Sequence, residues 1–454
     1  MNVHENKIIN EIEELRSNFH VMTEKLVKDI KRQDKIMYRS DKRQRQEYDE
    51  LQLKLEQVEK LQIAQKDLLD SFIYLIASAI DEKSTHTGAH CTRVPELSLM
   101  IANAAHESNE GIFKDFHIEN EDQKRELSIA SWLHDCGKVT TPEYVVDKAT
   151  KLETITNRIH EIRTRFEVIH RDKTIEALNK KLAGEDITFV DDWLEKEHLR
   201  LQNEFKIIAD ANLGSEYMNT EIQEIIKNIS VQTWVRNFDD SLGLAVEEKK
   251  RVLQENNTTP QIEKLLDNKL RHIIPRENFD YEEYENMGFK TEVPESLYNF
   301  GEVYNLTISA GTLSYEERFK IQEHVHMTIK MLEKLPFPEH LKNVPLYAGA
   351  HHETLIGTGY PRKLSAEDMP IVSRIMAIAD VFEALTASDR PYKEAKTLSQ
   401  SIDILATMVR KQHIDPDIFE LFLTKQLHVE YANKYLDKKQ IDTVDVSKYL
   451  NKRN

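Results

Sequence analysis

The chain has 454 residues, of which 31% are charged, and a formal net charge of −17. This length allows about three domains. The acidic balance argues against a nucleic-acid polymer as partner, because such surfaces are normally basic. It is compatible with a small phosphodiester ligand, since bound metal ions supply their own positive charge. With only 12 glycines and 12 prolines, the composition predicts long helices joined by few tight turns.

The cysteine count and the hydropathy indicate a cytoplasmic protein. Cys91 and Cys136 are too few for a disulfide framework, and they predict small buried side chains in a reducing cytoplasm. No run of 18 apolar residues is present, so no membrane span is expected. The amino terminus lacks the charged-then-apolar pattern of a secretion signal.

Residues 1–80 are predicted to form a coiled-coil helix. Apolar positions from Ile8 to Leu26 recur in steps of four and three, fade through the charged stretch 31–50, and resume from Leu51 to Ala79. This heptad seam needs a partner helix to bury it. A parallel homodimer is the favoured partner, and packing onto the body of the same chain is the alternative. Because the seam runs into residues 81–90, rotation of the coil is expected to reach them.

The segment 81–152 contains the dipeptide His134-Asp135, followed by Lys138. An imidazole and a carboxylate from adjacent residues can both bind metal, and the two carboxylate oxygens can bridge two ions. If the segment is helical, Lys138 returns to the side of Asp135, where its ammonium suits a phosphate as a point charge. Upstream, His90 is a further candidate ligand. His86 would share its face only if a helix persisted through the intervening glycine.

Residues 153–312 are predicted to be a helical insertion without recognisable chemistry. Two antiparallel helices are expected, one through Ile155 and Ile169 and the other through Trp193 and Ile208. Further helices are predicted near 219–236, 245–254 and 261–272, and 275–305 is expected to be irregular. The insertion's scattered histidines are expected on helix surfaces. A regulatory or partner surface and a purely structural elaboration both remain open as its role.

The segment 313–422 returns to metal-ligand residues. They are His324, the pair His351-His352, and Asp380, which lies at the edge of a buried helical stripe. His326 lies two residues from His324 and cannot share its helical face, so it is predicted to lie outside the site. Two further groups are candidates for substrate contact: the loop residues Gly359, Tyr360 and Pro361, and the cations Arg390 and Lys393, which suit phosphate oxygens. The tail 423–454 is predicted to form two short helices without an assigned function.

These motifs together closely resemble the HD-GYP domain, a branch of the HD phosphohydrolases that cleaves cyclic di-GMP. The resemblance covers residues 66–152 and 313–422. It rests on TGAHCTRV, HDCGK, the histidine at 324, HHETLIGTGYP, RIMAIADVFEAL and RPYK, in the family's order. It implies an all-α fold in which an HD helical domain is combined here with the amino-terminal coiled coil and the helical insertion.

The resemblance also implies a two-metal site. One ion would be held by His90, His134, Asp135 and Asp380, with Asp135 bridging, and the other by His324, His351 and His352. Imidazole and carboxylate ligands suit iron or manganese. A hydroxide between the ions would attack phosphorus and open cyclic di-GMP to pGpG, and further hydrolysis to GMP is left open. Lys138 would hold the near phosphate, Arg390 and Lys393 the distant one, and Gly359, Tyr360 and Pro361 would line the guanine or ribose side.

Four departures from the family pattern are visible. His86 stands where many relatives have tyrosine and some have a glutamate that helps to hold a third metal, which leaves a third ion open. Ile356 replaces an aspartate common before GTGYP. The segment 384–389 is one residue longer than usual, which alters the reach of Arg390, and the insertion is far longer than the family's short link. None of these changes removes a ligand.

Two other functions compete with the phosphodiesterase. One is a signalling adaptor that binds the nucleotide or a GGDEF-type synthase through the GYP loop with little turnover. The other is an HD-GYP enzyme for a different cyclic dinucleotide, because the ligands read phosphate whereas the loops read the base. The complete set of ligand residues favours an active enzyme over the adaptor, whereas the choice among cyclic dinucleotides stays open.

Overall fold

The computed structural model describes residues 3–83, 90–214, 217–253, 255, 258–387 and 395–450. It is predominantly helical, which confirms the all-α prediction. By contact, the chain divides into two units, Met1–Phe72 and Ile73–Asn454. Among the described helices, none is both long and apolar enough to cross a bilayer.

The first helix, α1, runs without interruption over Val3–Lys83. Within the first unit its large apolar side chains are exposed, including Leu15, Phe19 and Met22, at 69–70% of their surface. A single helix has no core of its own, so this stripe calls for a partner. The coiled coil itself stays a prediction.

The helical core of the second unit is built from helices on both sides of the insertion. Before it come α2 (His90–His106), α3 (Glu121–Leu133), a 3-10 turn (Cys136–Thr140) and α4 (Glu143–Val146); after it come α11 (Tyr315–Leu332), α12 (Val344–Gly349) and α13 (Ile371–Thr386). Helix α2 packs on α3 and α13, and α11 packs on the 3-10 turn and α12. The two halves therefore interleave. The carboxyl-terminal helices are α14 (Leu398–Arg410), α15 (Pro416–Thr424), α16 (Leu427–Tyr435) and α17 (Ser447–Leu450).

The insertion begins with the predicted antiparallel pair, α5 (Ile159–Leu182) and α6 (Ile187–Asn212). Asp186 caps α6 by accepting from the N–H of Phe189. The antiparallel arrangement is visible in the Phe166–Phe205 and His170–His198 ring contacts. Ile155 precedes the helix and is 89% exposed, so including it in the apolar stripe was wrong.

The predicted helix at 261–272 is also wrong. The structure has α7 (Thr220–Ser230), β1 (Thr233–Arg236), α8 (Val246–Val252) and β2 (Gln261–Lys264), and β1 pairs antiparallel with β2. The end of the predicted 219–236 helix is therefore a strand. Val235 and Ile262 are β-branched and favour extended backbone, and Arg236 bonds Glu263 between the strands. Because their ladder partners lie far apart in sequence, helical periodicity could not reveal them.

The tract expected to be irregular contains short elements. They are β3 (Ile273–Pro275), α9 (Tyr281–Asn286), β4 (Ser296–Asn299) and α10 (Glu302–Leu306), with β3 and β4 paired antiparallel. This part of the chain returns to the point where the insertion began. The fully buried Lys151 donates to the carbonyls of Leu306 and Ile308 at 3.0 and 2.7 Å. Lys148 then bonds both carboxylate oxygens of Glu317, in the first turn of α11.

His326 lies in an aromatic pocket beneath α9. Its Nε2 is 3.1 Å from the hydroxyl of Tyr284, and its ring packs against Phe289. It belongs to none of the candidate ligand groups among the described residues. Burial lowers the pKa of His326 to about 3, from an ordinary value of 6.5. The folded protein thus keeps this imidazole neutral.

Because His326 is buried as a neutral imidazole, we expect the stability of the folded protein to fall at acidic pH. Below pH 6.5 the unfolded chain binds a proton at position 326 that the folded protein excludes until about pH 3. The free energy of unfolding should therefore fall on acidification by up to about 1.4 kcal/mol per pH unit in this window. In urea unfolding of metal-free protein, His326→Gln should lose less stability than the parent between neutral pH and about pH 5. Equal losses would contradict the prediction.

Candidate metal centre

The candidate ligands come from both halves of the chain and meet in one buried place. His90 is the first residue of α2, His134 and Asp135 directly follow α3, and His324 lies within α11. His351 and His352 follow α12 after a single residue, and Asp380 lies in α13. The buried face of α13, formed by Ile375, Ala379 and Phe382, fixes Asp380 at the rim of the core.

The ligand atoms fall into three groups. Within each group they lie within 4.8 Å of one another: His324, His351 and His352; His90, His134 and Asp380; and His134, Asp135 and His351. Asp135 lies between the first two groups. Its Oδ2 is 3.3 Å from the Nε2 of both His90 and His134, whereas its Oδ1 is 3.2 Å from the Nε2 of His324. Its two oxygens therefore face different histidine sets, as a bridging carboxylate requires.

Backbone carbonyls orient three of the imidazoles. The Nδ1 atoms of His134, His324 and His351 lie 2.6–2.7 Å from the carbonyls of Ser131, Ile321 and Ala348, each three residues earlier. Their Nε2 atoms are buried without a hydrogen-bond partner in the described part of the chain, as is Oδ1 of Asp135. Buried polar atoms normally have partners. Inward lone pairs that converge in this way fit a cation between them.

His90 is oriented differently, by a residue that the sequence analysis missed. It is the first described residue of α2, and its Nδ1 lies 2.5 Å from Oε2 of Glu383 in α13. The other oxygen of Glu383 accepts from Arg93 at 2.7 Å. The spacing in the sequence could have indicated this contact. Glu383 lies one helical turn after Asp380 and Arg93 one helical turn after His90, so each lies on the same helix face as a candidate ligand.

We expect removal of the negative charge of Glu383 to weaken metal binding. A carboxylate behind a ligating histidine fixes the ring and raises its basicity, and losing such a partner typically costs about 10- to 100-fold in metal affinity. Glu383→Gln keeps the shape but loses the charge, so Mn²⁺ titration should show a loss of this size. Glu317→Gln, a buried carboxylate paired with Lys148 elsewhere, is the matched control. An affinity equal to that of the parent would refute a role for Glu383.

The charges of the centre are strongly coupled. Burial lowers the pKa of His134, but Asp135 and Asp380 outweigh it and raise the value to about 9. Burial likewise opposes ionisation of Asp135, but Lys138, His134 and His324 hold its pKa well below the usual range. His352 is different, because burial and His324 lower its pKa to about 3. Burial also lowers the pKa of His90, but Asp135, Asp380 and Glu383 outweigh it and raise the value well above the usual range. Metal ligands must be neutral imidazoles and ionised carboxylates, so a bound cation would replace the protons that these raised pKa values favour on His90 and His134.

Lys138 lies beside the Asp135 carboxylate. Its ammonium bonds Oδ2 of Asp135 across three residues, on the side that the sequence predicted. Burial lowers the pKa of Lys138, but Asp135 and Asp380 outweigh it and raise the value. The group is therefore a permanent cation at the edge of the centre.

The GYP loop is fastened to the histidine pair. The ring of Tyr360 stacks on His352 with centroids 4.8 Å apart, and its N–H donates to the carbonyl of His352. A Cβ on Gly359 would lie 2.5 Å from the Cα of Glu353, so only glycine allows this approach. Glu353, buried and also missed by the sequence analysis, accepts from the N–H groups of Arg362 and Leu364 beyond Pro361. Ile356 is exposed and forms an isolated antiparallel bridge with Ser365.

Three predicted residues lie outside the described part of the chain: His86, Arg390 and Lys393. Their roles therefore stay predictions. Cys91 and Cys136 are buried and free of disulfides. Fold and site together define a helical domain built around a paired histidine–carboxylate centre.

Comparison with known proteins places this domain. Residues 260–418 match the family model described as HD domain, a range that contains His324, His351, His352 and Asp380. The chain is 38% identical over 110 residues to the 3'3'-cGAMP-specific phosphodiesterase 3 of Vibrio cholerae, covering 24% of this chain and 23% of that protein. It is 24% identical over 299 residues to the cyclic di-GMP phosphodiesterase of Thermotoga maritima, covering 66% and 68%.

A third relative is the cyclic di-GMP phosphodiesterase response regulator RpfG of Xanthomonas campestris, 30% identical over 31% of this chain and 37% of that protein. The chain thus spans about a quarter of the first relative's length and about two thirds of the second's. Fold, motifs and these matches together support an HD domain of the HD-GYP type in this chain.

Proposed function

We propose that the protein is a metal-dependent phosphodiesterase that hydrolyses cyclic di-GMP to pGpG and GMP. The observation that carries this proposal is the placement of Asp135, whose two oxygens face two separate histidine sets. Two ions held in this way resemble the paired sites that cleave phosphodiesters. The relatives named as cyclic dinucleotide phosphodiesterases support the same chemistry.

The donor set fits two divalent ions. His90, His134, Asp135 and Asp380 would hold one, and Asp135 with His324, His351 and His352 the other. Imidazole and carboxylate donors favour iron or manganese. When bound, such a pair supplies Lewis acidity and a nucleophile at neutral pH. A third equivalent of metal in the purified protein would support a further site that includes His86.

The chain's own side chains would bind and orient the nucleotide. Lys138 lies where its ammonium could leave Asp135 for a phosphate oxygen, and as a point charge it tolerates several phosphate orientations. Tyr360, stacked on His352, places an aromatic face beside the centre, as a purine or ribose would require. On motif alone, Arg390 and Lys393 would bind the distant phosphate.

The decisive experiment combines metal analysis with product chromatography. Anaerobically purified protein should contain two iron or manganese ions and convert cyclic di-GMP to pGpG or GMP. Faster turnover of 3'3'-cGAMP would assign the site to that dinucleotide instead. A metal-loaded protein that binds nucleotide without cleaving it would support the adaptor, with a GGDEF-type synthase as its partner.

We further propose that α1 pairs in parallel with α1 of a second copy, in the cytoplasm. The exposed apolar stripe from Ile8 to Leu26 supports this pairing, because heptad positions bury only against another helix. Light scattering of the full chain should give a dimer mass. Replacing Leu15 and Phe19 by glutamate should give a monomer, and a dimer that survives both changes would refute the pairing.

A further inference from the structure

The last turns of α1 are anchored in the second unit. Ile73, Ala77 and Ile80 are buried at 5% exposure or less, and Tyr74 packs against Trp132 with ring centroids 5.3 Å apart. These apolar residues recur on one face, in steps of four and three. The end of the helix is thus fixed in the core beside α3, which leads into the His134-Asp135 dipeptide.

Asp81 contacts the segment that begins with His90. Both of its carboxylate oxygens lie 3.3 Å from the backbone nitrogen of Cys91, the second residue of α2. The first N–H groups of a helix have no intrahelical acceptor, and the helix dipole favours a negative charge there. Asp81, which is only 8% exposed, therefore supplies both an acceptor and the favoured charge at the start of α2.

Lys83 contacts the segment that carries Lys138. Its ammonium donates to the carbonyls of Lys138, Val139 and Thr141 at 3.1, 2.5 and 2.8 Å. These carbonyls lie at the end of the 3-10 turn Cys136–Thr140, where carbonyls beyond the last intrahelical donor need other partners. The Lys138 carbonyl also accepts from the N–H of Thr141, so Lys83 is its second donor. A lysine ammonium has three N–H donors, so the three carbonyls can use all of them. A cation also suits the negative end of a helix.

We infer that Asp81 and Lys83 form an α1 clamp, a pair of positioning residues that sets the separation of His90 from Asp135 and Lys138. One holds the N-terminus of α2, the other holds the C-terminus of the 3-10 turn, and both stand on the same turn of one helix. The segment that carries His90 and the segment that carries Asp135 and Lys138 are thus each held by α1, in addition to their contacts with each other. The inference rests on the proposed metal centre, and it identifies the end of α1 as the element through which displacement of this helix would change metal binding.

Mn²⁺ titration of the full-length, metal-free protein tests the clamp. Lys83→Met and Asp81→Ala should each lower Mn²⁺ affinity by about 10- to 100-fold, the usual loss when support behind a ligand is removed. The conservative changes Lys83→Arg and Asp81→Asn keep a donor or an acceptor and should recover most of that loss. Should Lys83→Met fail to fold, Lys83→Gln retains an amide donor and should show an intermediate loss.

Two control variants separate positioning from general instability. Glu82→Gln changes the exposed neighbour between the two residues and should bind Mn²⁺ as the parent does. Lys151→Met removes another buried ammonium from backbone carbonyls, those of Leu306 and Ile308 in the insertion. It should lower the unfolding midpoint while leaving the Mn²⁺ affinity of the folded protein unchanged.

The outcomes distinguish the clamp from the metal centre. Parent-like affinity in both Lys83→Met and Asp81→Ala, with Mn²⁺ bound by the parent, would overturn the clamp alone. A similar affinity loss in Lys151→Met would also overturn it, because the effect would then reflect stability. A parent protein that binds neither Mn²⁺ nor Fe²⁺ would overturn the proposed centre and the clamp together.

Discussion

Asp135→Asn is expected to abolish both metal binding and phosphodiesterase activity. The carboxylate faces His90 and His134 through one oxygen and His324 through the other. Asparagine has nearly the same shape, but its amide group would point N–H donors at one histidine set and remove the negative charge. Support residues behind a ligand are already worth about 10- to 100-fold in metal affinity, so losing a shared ligand should cost about 1,000-fold or more.

The measurement is the metal content after dialysis against Mn²⁺ together with the initial rate on cyclic di-GMP. Asp115→Asn, at an exposed aspartate outside the centre, should match the parent in both. An Asp135→Asn variant that kept two ions would contradict the proposed role of Asp135 as a ligand shared by both ions. One that kept the ions but lost activity would point to chemistry by Asp135 itself.

Gly137→Ala is expected to cause a large loss of stability and to disturb the second histidine set. A Cβ at this position would lie 1.8 Å from the carbonyl oxygen of His324 and 2.6 Å from the amide nitrogen of Thr328. Both are backbone atoms of α11, so no flexible side chain can yield. The N–H of Gly137 also donates to the hydroxyl of Thr328, which donates in turn to the carbonyl of His134. The extra methyl would separate the two halves of the site.

Overpacking usually costs about 1–3 kcal/mol, and a backbone clash of this depth should reach or exceed the upper end of that range. Urea unfolding of the metal-free protein measures the loss, and Mn²⁺ titration shows whether His324 has moved. Val139→Ala, two residues away at a position that is 52% exposed, should change stability by less than about 0.5 kcal/mol. A Gly137→Ala variant as stable as the parent would mean that α11 does not approach the 3-10 turn this closely.

The sequence carried the features that depend on neighbours along the chain. The His134-Asp135 dipeptide, the His351-His352 pair and the cation at Lys138 are local, and so is the helical period that predicted α5 and α6. Asp186 before α6 is a helix cap readable from residue type alone. The all-α fold and the HD-GYP type followed from such local motifs in a fixed order.

Tertiary structure decided the features that join distant segments. Glu383 meets His90 across 293 positions, and β1 pairs with β2 across a helix, which no local period encodes. Gly137 reads as an ordinary turn former until α11 is packed against it. Asp81 and Lys83 likewise read as a charged helix end. Their roles arise because the N-terminus of α2 and the end of the 3-10 turn come to lie beside them, and only the folded chain brings those termini there.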